Sequence, residues 1–186
     1  SFHSPPYENL YTSLVLRPSL DLAEAPTLIL STAVAVAEAV VETLGDAHAV
    51  EIKWPNDVLL AGLKTSGILM ELSAEAARVD FVVLGVGVNL NVDRAHFPDE
   101  FRHLATSLRS HSGKPVDRLA FTRRLYTRLE ERLDAHERGG FAALRPRFEA
   151  FFRMPGREVR VHEMTGRDWS GVVRGIASDG ALEVEK

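Results

Sequence analysis

The stretch "EIKWPNDVLLAGLKTSGILMEL", Glu51 to Leu72, decides how this chain is read. Its apolar residues fall into short β-like runs: Val50 to Trp54, Val58 to Leu60, and Lys64 to Ser73. Pro55 fixes one φ and biases Trp54 toward extended backbone, which ends the first run. "AGL" turns the second run into the third and predicts a hairpin. Two lysines, an asparagine and an aspartate interrupt what is otherwise buried sheet. Asn56 and Asp57 stand where the backbone leaves a strand, a common place for ligand-facing polar groups. Pro-Asn-Asp is also ordinary turn chemistry. Lys64 carries a point charge suited to a carboxylate or phosphate oxygen, or simply points to water. Gly67 lets a ligand approach the backbone closely.

The flanks extend this pattern. Leu10 to Arg17 reads as a strand that ends before Pro18. Pro26 opens a helix to about Leu44, with Leu30, Val34, Ala37, Val41 and Leu44 at helical spacing and Gly45 as its stop. The helix is apolar around much of its circumference, which places it against a sheet. Val79 to Leu90 is a further strand, and the two-residue period puts Gly85 and Gly87 on one face. Such a pair makes either a flat floor for a ligand or a tight packing surface. Phe97 to Ser110 reads as a short helix. Asp117 caps a long one to about Arg138, with Leu119, Leu125, Leu129 and Leu133 as its buried stripe. Phe141 to Phe152 forms another helix. From Pro155, short β alternation punctuated by Gly166, Gly171 and Asp179-Gly180 predicts a small β module. The fold class is α+β: a mixed, mostly antiparallel sheet backed by helices near 26–44 and 117–152, with one domain over 1–154 and the module over 155–186.

Composition limits the functions. With 186 residues, 45% of them hydrophobic, the chain can bury a substantial core. The net charge of -4 argues against a broad nucleic-acid footprint. The chain has no cysteine, which excludes disulfides, thiolate zinc sites and cysteine nucleophiles and fits a reducing cytoplasm. Pro26, Thr27, Ser31, Thr32 and Glu38 interrupt the most apolar stretch, so no membrane span is expected. No Walker-type G-x-x-x-x-G-K-[ST] occurs, and "GVGVNL" lacks the third glycine of a dinucleotide loop. The scattered histidines form no H-x-x-x-H and are read as solvated surface residues. The first residues carry no methionine or leader, and "GALEVEK" stops within a strand, so a chain entered mid-domain is expected.

"KWPNDVLL", "LKTSGILMEL" and "VLGVGVNLN", in this order and spacing, resemble the biotin protein ligases, the biotin–[acetyl-CoA-carboxylase] ligases. "SPPYENLYTSLVLRP" before them, "FPDEFRHLATSL" after them and the closing β module extend the resemblance over nearly the whole chain. The resemblance implies ATP- and Mg²⁺-dependent activation of biotin to biotinyl-5′-AMP, then transfer to one lysine of a biotin carboxyl carrier domain. It implies a catalytic fold of the class II synthetase type and an SH3-like C-terminal module. Lys64, by its match to the lysine of K-x-x-G-I-L, would hold the biotin carboxylate and then the acyl-phosphate oxygens. Lys53 would act on phosphates. Asp57 would orient or deprotonate the acceptor lysine, and Asp57 or Asn56 would meet Mg²⁺ with ATP. Gly67, Ile68, Gly85 and Gly87 would give the surface beside biotin and adenylate. Asn89 would recognise adenine, Asn9 would stand in the pocket, and Trp54 would pack in its wall. Phe2, where the family has tryptophan, would serve as an aromatic lid, and Tyr7 stands where glycine is common. The family's upstream Gly/Arg-rich loop is not in the sequence, so these residues alone are expected to be inactive. Some family members dimerise through sheet edges, and nucleic-acid binding would require an upstream helix-turn-helix. Two alternatives remain: a lipoate-type acyl ligase, and a non-catalytic ligase-like module that binds biotin or a partner.

Overall fold

The computed structural model describes residues 6–75, 78–163 and 166–186. The expected runs become a five-stranded sheet built from β1 (Leu10–Leu16), β2 (Val50–Lys53), β3 (Asp57–Leu60), β4 (Leu63–Glu75) and β5 (Arg78–Val88). Their order is β1-β5-β4-β3-β2, and every pairing is antiparallel. The parallel component of the expected mixed sheet shrinks to one bridge, between Lys64 and Ala105.

Alternation along β5 sorts its two faces. Val82, Leu84, Val86 and Val88 are buried in the core, and Phe81, Val83, Gly85 and Gly87 face the other way. The core face is covered by α1 (Thr27–Leu44), which also packs on α4 (Arg118–Gly139). Being clasped between sheet and helix explains why α1 is apolar nearly all round. α1 is long and apolar enough to cross a membrane despite its interrupting polar residues, but two-thirds of it is buried inside the protein, as in the core helix of a globular fold. Gly45 ends it in the left-handed region and donates to the Val41 carbonyl at 2.7 Å.

The expected helix over 97–110 is split into α2 (Asp99–Arg102) and α3 (Leu108–Ser112). Between them a turn at 103–104 leads into a short segment that bridges to β4 at Ala105, in the place that β5 vacates. Lys64 N–H donates to the Leu104 carbonyl at 2.8 Å, and Thr106 N–H donates to the Lys64 carbonyl at 2.9 Å. These bonds satisfy main-chain groups that a helix would have left orphaned. In α4, Asp117 accepts from Ala120 N–H as a cap should. Leu125 and Leu129 of the expected stripe are buried and Leu133 packs partly buried against the core; Phe121, Arg132 and His136 complete the stripe, and Leu119 is 60% exposed. A 3-10 turn over Phe141–Ala143 and α5 (Arg145–Phe151) replace one continuous helix. The closing segment forms a three-stranded antiparallel sheet, β6 (Glu158–His162), β7 (Asp168–Ile176) and β8 (Leu182–Glu185). Its Val173 and Ile176 join the same buried cluster as Leu30, Ile52 and Leu60.

Candidate active site

Register brings the scattered motifs together. Lys53 stands opposite Asp57, Asp57 opposite Gly67, Gly67 opposite Gly87, and Gly87 opposite Tyr11. One row therefore crosses all five strands on the face that no helix covers. The next row sets Leu69 beside Gly85 and Gly85 beside Ser13. Where three glycines meet, the sheet has a floor of bare backbone. Above it lies a cavity of about 480 Å³ lined by Tyr11, Thr12, Ser13, Asn56, Lys64, Gly67, Ile68, Leu69, Gly85, Val86 and Gly87. That size suits a small organic molecule.

Lys64 is the charged residue in the lining of this cavity, and Asp57 stands behind it as its ion-pair partner. The ammonium nitrogen lies 2.5 Å from the Asp57 carboxylate, with the lysine side chain 39% and the aspartate 19% exposed. A β-bulge between Val58 and Leu59 shifts the register beside Lys64, and bulges re-aim side chains next to sites. Asn56 ties the floor in place: its Nδ2 donates to the Ile68 carbonyl at 2.9 Å, and Ile68 N–H donates to the Asn56 carbonyl at 2.9 Å. Ser66 is buried and donates to the Gly87 carbonyl at 2.7 Å, which locks β4 to β5 under the cavity.

The remaining expected residues stand elsewhere. Lys53 is exposed at the end of β2 and does not line the cavity. Asn9 is buried and accepts from Leu90 N–H at 3.1 Å, stitching the start of β1 to the end of β5. Asn89 is also buried. Its Nδ2 donates to the Thr106 carbonyl at 3.1 Å, and its Oδ1 has no hydrogen-bond partner among the described residues. Trp54 is not in the cavity wall as expected. Its indole turns away and donates from Nε1 to the Gly180 carbonyl at 3.0 Å. Phe2 lies outside the described residues. Tyr7, at the position where glycine is common, has φ +64° and is 86% exposed.

Tyr11, Thr12 and Ser13 were missed as site residues. The signal was available: the alternation of "LYTSLVL" pairs with that of β5, and antiparallel register sets Tyr11 and Ser13 against the two glycines. His136 corrects another expectation. It is fully buried, not solvated, and its Nε2 lies 2.7 Å from Thr27 Oγ1.

Residues 1–89 match the profile of the Biotin/lipoate A/B protein ligase family. The biotin–[acetyl-CoA-carboxylase] ligase of Paracoccus denitrificans is 33% identical over 95% of this chain and 74% of its own length. The chain belongs to the biotin protein ligase family. The Bifunctional ligase/repressor BirA of Bacillus subtilis (strain 168) is 35% identical over 99% of this chain. The chain spans only 56% of the length of that relative. Among solved structures, the biotin protein ligase of Aquifex aeolicus superposes with a TM-score of 0.81 at 28% identity, covering 95% of this chain and 75% of that one. The same enzyme in complex with biotin and ATP gives a TM-score of 0.81 over 71% of its chain.

Proposed function

We propose that this chain carries the ligase half-site in which biotin and ATP combine to biotinyl-5′-AMP, from which biotin passes to a lysine of a carboxyl carrier domain. The observation that carries the reading is the Lys64 ammonium at the edge of a glycine-floored cavity, ion-paired with Asp57. The biotin carboxylate attacks the α-phosphorus of ATP, and pyrophosphate leaves with the broken bond's electron pair. Both reactants are anionic, so a fixed cation between them offsets their repulsion and stabilises charge on the phosphorus. Lys64 fills that role. The bare backbone at Gly67, Gly85 and Gly87 admits a flat ring system without a Cβ in the way.

In the second step the carrier lysine's amine attacks the acyl carbon and AMP leaves. That amine must first lose a proton. Asp57 is the carboxylate at hand to take it or to orient the amine. The buried Oδ1 of Asn89, without a hydrogen-bond partner among the described residues, is the acceptor for an adenine amino group. An orphaned buried polar atom costs on the order of 1–3 kcal/mol, and a ligand donor removes that cost. Mg²⁺ enters as part of the Mg–ATP substrate. The described residues hold no group of three or more acidic or histidine side chains that would cage it. The three-stranded sheet from residue 155 is read as the family's SH3-like module.

The test is transfer of labelled biotin to a carboxyl carrier domain, with Mg²⁺ and ATP, by the natural polypeptide and its Lys64→Ala variant. The variant is expected to lose about 10²–10³-fold in kcat, as when one transition-state donor is removed. An inert wild type ends the ligase reading, and a variant at wild-type rate ends the role of Lys64.

A further inference from the structure

The Trp54 indole lies in the middle of the K-W-P-N-D stretch, yet it is bonded to the far end of the chain. Its Nε1–H donates to the Gly180 carbonyl in the turn between β7 and β8. That turn is itself closed: Gly180 N–H bonds to the Ala177 carbonyl, Ala177 N–H to the Ala181 carbonyl, and Ala181 N–H to Asp179 Oδ1. It is also wedged against α1, because a Cβ built on Gly180 would lie 2.7 Å from Leu30 Cδ1 and 3.1 Å from Thr27 Cγ2. A rigid turn thus presents one carbonyl to one indole.

Two further side chains from the same end of the chain grip the segment that leads into Trp54. Arg157, just before β6, meets Glu51 of β2 with both arms of its guanidinium, at 2.8 and 3.4 Å. Glu51 is only 9% exposed, so this fork is its partner in place of water. Arg153 donates to the carbonyls of His48 and Ala47, at 2.9 and 3.3 Å. β2 is an outer strand of the five-stranded sheet, and these contacts occupy its flank along 47–54. The segment they hold delivers Asn56 to the cavity and Asp57 to Lys64 in its lining, and Asn56 holds Ile68 beside Gly67.

We infer that Trp54 is a positioning residue: through Gly180 it lets the C-terminal sheet brace the strand end that places Asn56 and Asp57. The inference rests on the ligase reading for its catalytic consequence but not for its mechanical one. Trp54→Phe removes the indole N–H and keeps a smaller aromatic ring against the core, which loosens the turn after Pro55.

The experiment uses the natural polypeptide with Trp54→Phe and two readouts. Amide hydrogen exchange in the ligand-free protein is followed at Ile68, whose N–H bonds to Asn56, against Val82 in the body of β5. Biotin- and ATP-dependent pyrophosphate release gives kcat and KM. Exchange at Ile68 is expected to quicken severalfold with Val82 unchanged. The kcat is expected to fall roughly tenfold at nearly constant KM for biotin, since a ~1 Å misplacement of reacting groups can cost ~10²-fold. Unchanged exchange at Ile68 overturns the brace. Faster exchange with unchanged kcat overturns the positioning role. A wild type that releases no pyrophosphate sinks the ligase reading, while the exchange ratio at Ile68 still decides the brace. Should Trp54→Phe not fold, β-(3-benzothienyl)alanine at position 54, which keeps the bicyclic ring and lacks the N–H, tests the same bond to Gly180 by the same two readouts.

Discussion

At the scale of single residues, the hairpin that carries Lys64 is closed by a turn that uses one unsuitable residue. Ala61 and Gly62 both have positive φ, +50° and +79°. That is the pattern of a type I′ turn, whose first central position favours asparagine. An alanine there costs roughly 1–2 kcal/mol, and asparagine tolerates the conformation. Ala61 is exposed, so nothing packed is disturbed. Ala61→Asn is therefore expected to stabilise by about 1 kcal/mol, a rise of roughly 2–4 °C in Tm for a chain of this size, measured by calorimetry. A lower Tm would show that the turn is not of this type. Residue types also decided how much of the site was legible. A lysine in glycine-rich sheet and glycines two apart point to a ligand floor by their own chemistry. Trp54 and His136 do not, because their partners lie 126 and 109 positions away and nothing local marks them.

At the scale of elements, strands and long helices were readable because each has one dominant period. The stretch 97–110 was not, because its helical appearance yields to two hydrogen bonds demanded by Lys64, a residue over 30 positions earlier. The stripe of α4 is legible at Leu125 and Leu129 and fails at Leu119, which is exposed. Arg132 and His136 occupy buried positions that an apolar count passes over, the first through its ion pair with Glu38 at 2.9 Å. Two glycines separate backbone cost from packing cost at element ends. Gly45 ends α1 with φ +75° and nothing within 4 Å of a built Cβ, so Gly45→Ala costs only the conformational penalty, about 1 kcal/mol. Gly180 has φ +83° and would press a Cβ into Leu30 and Thr27, which adds about 1–3 kcal/mol of overpacking. Denaturant unfolding of the two variants is expected to place Gly180→Ala well below Gly45→Ala. Equal losses would mean that the turn between β7 and β8 does not press on α1.

At the scale of the whole molecule, His136 joins the parts. It lies on α4, bonds to the first turn of α1, and borders a cavity of about 280 Å³ that Ser178 and Asp179 of the C-terminal sheet also line. Its tautomer follows from its neighbour. Thr27 Oγ1 spends its one proton on the Glu24 carbonyl, at 2.6 Å, so it accepts from His136 Nε2–H. Nδ1 then carries the lone pair, buried and without a hydrogen-bond partner among the described residues. A second proton would sit there unpaired. Burial pushes the imidazole below its ordinary value of 6.5, against a smaller upward pull from Glu24. Asp179 shares the cavity on one side, and Asp134 and Glu137 flank the ring on its own helix. The sign follows from proton counting. Below the ordinary histidine value the unfolded chain binds a proton that the folded chain refuses, so stability rises with pH through that window. The contribution is complete above 6.5 and is lost as pH falls from there through the depressed folded value. Thermal midpoints measured between about pH 8 and pH 5 should therefore decline on the acid side. His136→Gln, which keeps a donor for Thr27 but cannot titrate, should show a shallower decline. Parallel curves for the two proteins would mean that the proton is taken up elsewhere, and that the junction of α1, α4 and the C-terminal sheet does not sense it.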